Sequence, residues 1–134
     1  MDDVTKELIN YAMDHNIGVS LEPASNPDTV AQVNPRRRII FVNSNFKSKK
    51  QIPLQLAHEI CHIMNGDDAI NQLYYSSATF GVEKNANLGA IRMLAPYYLE
   101  DKDEETVNLQ DFMEIFDIPE HNRSLAEMVL GENL

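Results

Sequence analysis

Residues 51–65 read QIPLQLAHEICHIMN and are followed by Gly66. Ile52, Leu56, Ile60 and Ile63 or Met64 recur at helical spacing and form an apolar stripe. Pro53 is tolerated in the first turn of such a helix, and Asn65-Gly66 supplies its stop. Inside this apolar stretch stand His58, Glu59 and His62, the pattern HExxH. Residues four apart share a helix face, so His58 and His62 can present two imidazoles to one Zn²⁺. Glu59 follows the first ligand and can reach a water on the metal as general base. The alternative is a structural pair of core histidines. Two histidines and a glutamate within an apolar helix are costly unless something satisfies them, which favours the metal.

A catalytic zinc takes a third protein ligand and keeps one position open. The carboxylates downstream are Asp67, Asp68, Glu83 and an acidic tail. The next strong helical pattern is VEKNANLGAIRMLA, residues 82–95, with Pro96 as its expected stop. Glu83 lies on it, and Ala86, Ala90 and Leu94 continue its face with small and apolar residues that let two helices approach closely. Glu83 is therefore the expected third ligand. Asn87, four residues on, is placed to hydrogen-bond a ligand histidine. Asp67 and Asp68 read as a solvated turn after Gly66. His15 and His121 fall in polar terminal segments and read as surface residues.

Working outward, residues 3–15 carry a helical pattern, ended by Asn16 and Gly18. Residues 17–22 alternate as a half-buried strand, and Pro23–Thr29 is a loop by composition. A short strand is expected near Val30–Val33 and a stronger one at 38–43, RIIFVN, after a turn at Asn34-Pro35. Strands this close together predict a small antiparallel meander. Asp67–Phe80 reads as a looser segment. Helices are expected near 106–116 and 119–130, with Gly131 as a stop. The fold class is α+β, a small antiparallel sheet packed beside a helical body that carries the HExxH helix. The 134 residues suit one domain. It divides into an N-terminal helix and strands (1–49), the metal-site helices (50–98) and an acidic helical part (99–134).

Composition narrows the function. The chain has 11 basic and 21 acidic side chains, for a net charge of −10. Residues 1–60 are balanced, and residues 61–134 carry the whole excess. A surface this acidic repels phosphate backbones, so direct nucleic-acid binding is disfavoured. It suits either a basic protein partner or simple solubility. Arg36–Arg38 with Lys47, Lys49 and Lys50 form a local basic region that reads as a solvated turn and helix entry. The single cysteine, Cys61, allows no intrachain disulfide, and the N-terminus has no long apolar h-region. No apolar run approaches the ~18 residues of a membrane span. The expected location is the cytoplasm.

LAHEICHIM, followed about 20 residues later by VEKNANLGAIRMLAPYYL, resembles the ImmA/IrrE-like metallopeptidases. The second motif of that family is matched by Glu83, Ala86, Asn87, Ala90, Met93, Leu94 and Pro96. The specific motifs span 57–98, while the order of helix, strands and later helices matches most of the chain. Three positions depart from the family pattern: Cys61 stands at a frequent glycine, Asn85 at a frequent glutamate and Gly89 at a frequent phenylalanine. The form with PYYL and an acidic tail is most similar to proteins encoded beside repressor genes in phages and mobile elements. The resemblance implies a gluzincin-like zinc site and cleavage or inactivation of a helix-turn-helix repressor.

The expected function is thus a zinc-dependent metalloendopeptidase with Zn²⁺ on His58, His62 and Glu83 and with Glu59 as general base. The alternative is a non-proteolytic module that captures a repressor or other regulator, with a structural zinc. Tyr74, Tyr75, Tyr97 and Tyr98 include oxyanion-donor candidates, although packing is the simpler role for each. A strand near Ile39–Asn43 is a further candidate to hold the scissile segment by strand addition.

Overall fold

The computed structural model describes residues 3–67 and 77–134, with side chains from 82 onward in the second stretch. Helix α1 (Asp3–Asp14) buries Thr5, Leu8 and Ala12 and leaves Met13 exposed. It ends at Asn16, whose φ of 60° is one that asparagine tolerates, and Ile17 N–H returns to Ala12 O. Three strands follow: β1 (Gly18–Glu22), β2 (Gln32–Asn34) and β3 (Ile39–Asn43).

The sheet is mixed rather than antiparallel. Its order is β1-β3-β2, with β3 parallel to β1 and antiparallel to β2. The cause is the long connection between Glu22 and Gln32, which carries β2 past the neighbouring position and leaves room for β3 between the two. β3 is the most apolar of the three, and Ile40 and Val42 are fully buried against the helices. It therefore takes the centre, where both edges are paired. The connection is held by Asn43, itself completely buried. Its Oδ1 accepts from Ala24 N and Asn45 N, and its Nδ2 donates to Asn26 O and Thr29 O, all at 2.8–3.2 Å.

The basic region is largely engaged within the fold. The Arg38 guanidinium donates to His15 O and Asn16 O. Lys49 Nζ donates to Ser44 O and Phe46 O, and Lys47 pairs with Asp28.

Helix α2 (Ile52–Met64) carries Pro53 in its first turn and buries Leu56, Ala57 and Ile60 completely. Helix α3 (Ser77–Leu99) runs through Pro96 instead of stopping there. A proline near a helix end forfeits one hydrogen bond, but the turn beyond it buries Tyr98 in the same core as Leu94 and Ala95. Helices α4 (Leu109–Ile115) and α5 (Arg123–Glu132) follow, with a short 3-10 turn at Glu120–Asn122. α4 is capped by Asn108, whose side chain accepts from Asp111 N. One apolar cluster runs from Leu8 on α1 to Leu130 on α5. Among the described residues, no helix is long and apolar enough to cross a membrane.

Replacing Asn43 with Ala removes four hydrogen bonds, and takes this partner from Ala24 N–H, Asn45 N–H and Thr29 O, while Asn26 O keeps Thr29 N–H. A destabilisation at the upper end of about 1–3 kcal/mol is expected. Urea unfolding checks it, as a lowered midpoint with an unchanged slope.

Candidate metal centre

α2 presents its polar residues on one face: Gln51 just before its start, then Gln55, His58, Glu59 and His62. This face is the floor of a cleft of about 700 Å³. Residues 30–33, leading into and along β2, form one side of that cleft, and α3 contributes Glu83 and Asn87.

The three expected ligands converge. His58 Nε2 and His62 Nε2 lie 3.0 Å apart. Glu83 Oε2 is 3.1 Å from His58 Nε2, and Glu83 Oε1 is 3.0 Å from His62 Nε2. Each residue offers one ligand atom, all within 4.8 Å of one another. Donors about 2.0–2.1 Å from a tetrahedral ion sit roughly 3.3 Å apart, so this spacing fits a small divalent cation. The donor set fits as well, since two imidazoles and one carboxylate suit a borderline-soft metal. Burial and the neighbouring His62 both hold the His58 pKa below its ordinary value. Neutral imidazole is the form with a free lone pair.

Glu83 reaches α2 because the helices pack very closely. A Cβ on Gly89 would lie 2.8 Å from Cys61 Sγ. Cys61 also contacts Met93 Sδ at 3.7 Å, and burial pushes its thiol up to about 11, so it is an inert packing group.

Two further residues orient the histidines. Asn87 hydrogen-bonds the His58 ring. Asp67 Oδ2 lies 3.1 Å from His62 Nδ1. Asp67 is thus no free solvated turn residue: it faces the nitrogen of His62 turned away from the other donors. The helix stop puts it there. Gly66 takes a φ of 69°, Gly66 N–H bonds Ile63 O, and Asp67 N–H bonds His62 O, the two bonds of a Schellman motif. A glycine stop four residues after the second histidine, which places the next residue beside it, is the signal for this partner, and reading Asp67 by composition alone misses it. Asp68 lies outside the described residues, as do Tyr74 and Tyr75.

Glu59 shares the cleft and is half-buried. Burial first, and the Glu83 charge second, raise its pKa from about 4.5 to about 8. The remaining candidates lie elsewhere or play other parts. Tyr98 OH donates to Asn108 O and accepts from Asn108 N, and Tyr97 hydrogen-bonds Glu7. His15 stacks on Tyr11. His121 is exposed, as expected, yet it stands on the rim of the same cleft.

Comparison with known proteins gives one family. The IrrE N-terminal-like domain, peptidase family M78, matches residues 12–107. No curated protein matches the chain significantly. No solved structure does either.

Two outcomes are expected. Asp67→Asn should weaken metal binding by about 10–100-fold without removing a ligand, as read by chelator competition. In metal-free protein, Glu59 keeps its proton in the fold up to about pH 8, whereas the unfolded chain loses it near 4.5. Below that lower value both states are protonated and no penalty arises. As pH rises between the two values, the folded state loses stability relative to the unfolded one. Thermal unfolding of chelated protein should therefore show the advantage of Glu59→Gln over wild type growing from pH 5 to pH 8.

Proposed function

This chain belongs to the IrrE N-terminal-like domain family of peptidases, and on that premise we propose that it is a zinc-dependent metalloendopeptidase whose substrate is a helix-turn-helix repressor. A metallopeptidase-type function follows from the family. The observation that carries the specific assignment is the convergence of His58, His62 and Glu83 at 3.0–3.1 Å in a cleft that also holds Glu59.

A zinc ion held by these three side chains would supply Lewis acidity toward a water and a peptide carbonyl. Glu59 removes the proton from the attacking water and delivers it to the departing amide nitrogen. In the metal-free protein burial keeps Glu59 protonated up to about pH 8, and a bound cation would favour the carboxylate form that accepts the proton. Asp67 and Asn87 hold the two imidazoles in orientation.

The scissile segment lies along β2. β3 is paired on both edges and offers no place for an added strand, so the candidate at Ile39–Asn43 is replaced. β2 is an edge strand, and residues 30–33 line the cleft. An extended segment can pair with such an edge, so the cut falls in an unstructured linker of the partner.

The partner assignment is supported by the ImmA/IrrE-like motifs and by the acidic residues 61–134, which attract a basic DNA-binding protein. The predicted site of action is the cytoplasm, where such repressors work.

Glu59→Gln decides between cleavage and capture. The amide keeps the shape of the carboxylate but accepts no proton. Repressor cleavage should fall by about 10²–10⁴ while zinc content and repressor association persist. If the variant inactivates the repressor in cells as well as wild type does, the protein acts by binding. Association should also slow as salt rises, and charge reversal at Glu104 and Glu105 should lower the on-rate with zinc content unchanged. An on-rate indifferent to salt assigns the acidity to solubility.

A further inference from the structure

The two sides of the cleft are tied together by a directed chain of amide hydrogen bonds. Ala31 N–H, beside β2, donates to Gln55 Oε1 at 2.8 Å. Gln55 Nε2 donates to Gln51 Oε1 at 3.0 Å. Gln51 Nε2 donates to Asp117 O at 2.9 Å. Every donor points the same way, so each bond polarises the next. The chain crosses the floor of the cleft at the N-terminal end of α2, directly ahead of His58 and Glu59. It ends on the turn that leads to Pro119, His121 and Asn122, which also line the cleft.

That turn begins at the end of α4, where Asp117 takes a left-handed φ of 49° and its N–H bonds Glu114 O. Ile118 is buried and its N–H bonds Met113 O, and Asn122 is buried next to exposed His121. Residues 117–122 lie beyond the stretch matched by the family, 12–107, whereas β2 and α2 lie within it.

We propose that Gln51 and Gln55 are positioning residues that set the width of the cleft, and that the 117–122 turn they hold is a specificity wall, with His121 contacting an extended polypeptide laid along β2. The occupant of the cleft rests on the peptidase assignment above; the tie between its walls does not.

The test uses the full chain with spin labels on cysteines introduced at Gln32 and Glu120, one on each side of the cleft. Cys61 is buried and its thiol is pushed up to about 11, so it stays unlabelled. Gln51→Met keeps the volume and removes two of the three bonds. Gln55→Glu keeps the acceptor for Ala31 N–H but cannot donate to Gln51. The Gln51 amide then turns its donor toward Glu, and its oxygen is left facing Asp117 O. Both variants should lengthen and broaden the distance distribution at wild-type zinc content. An unchanged distribution in both overturns the inference, whether or not any peptide is cut. In a peptide-library digest, both variants and His121→Ala should raise KM by about tenfold with kcat nearly unchanged, and should relax the sequence preference around the cut. Unaltered KM and preference overturn the wall. If wild type cuts no peptide or repressor, the peptidase assignment fails, and the label distances alone decide the tie.

Discussion

The approach of α3 to α2 at Gly89 is the contact on which the candidate centre depends. With a Cβ position only 2.8 Å from Cys61 Sγ, the two backbones are as close as the intervening thiol permits. Ala86 and Ala90 on the same helix are fully buried and carry only a methyl group each. That separation lets the short side chain of Glu83 touch two imidazoles on another helix. A bulkier residue at 89 would lift α3 away, and the ligand atoms would part even with every ligand still in the sequence. Cys61 and Gly89 are also two of the positions where the chain departs from the family pattern it resembles. Their direct contact makes the two departures one packing solution: a larger group on α2 met by the absence of one on α3.

The same proximity sets the electrostatics. Three ionisable groups on one helix face, with a fourth from α3, sit in a cleft whose floor is otherwise backed by fully buried Leu56, Ala57 and Ile60. Burial lowers the proton affinity of His58 and raises that of Glu59. Both shifts have the same origin, since the charged form is disfavoured in each case. A divalent cation answers both, because it binds neutral imidazole and favours an adjacent carboxylate. The apolar helix around HExxH and the polar groups within it thus belong to a single design.

Much of this was legible from residue spacing. A period of 3.6 places His58 and His62 together, and the same period on the next helix pairs Glu83 with Asn87, so the group needed only the correct packing of two helices. The sheet order was not legible, because local pattern identifies strands but says nothing about which strand takes the centre. β3 wins that position through Ile40 and Val42, and through a long connection whose course depends on one buried side chain, Asn43. Pro96 misleads for a related reason: a local breaker is overridden by the burial of Tyr98 beyond it. Asp67 is read as a loop residue until the Schellman geometry of Asn65-Gly66 is drawn in three dimensions.

The C-terminal helices are tied to the centre by two different kinds of force. Phe112, Met113, Phe116, Val129 and Leu130 join the core beneath α3, and this apolar contact fixes where the segment sits. Apolar packing is non-directional and tolerates small slides between surfaces. The Gln51 bond to Asp117 O is directional, and it acts next to Pro119, His121 and Asn122, which line the cleft. Gln51 and Gln55 share a helix face with the metal-site residues, so a shift of the C-terminal turn and a shift of the centre are referred to the same rigid element. His121 on the far side of the cleft and Glu59 on its floor are thereby referred to one helix, although they lie some 60 residues apart in the chain.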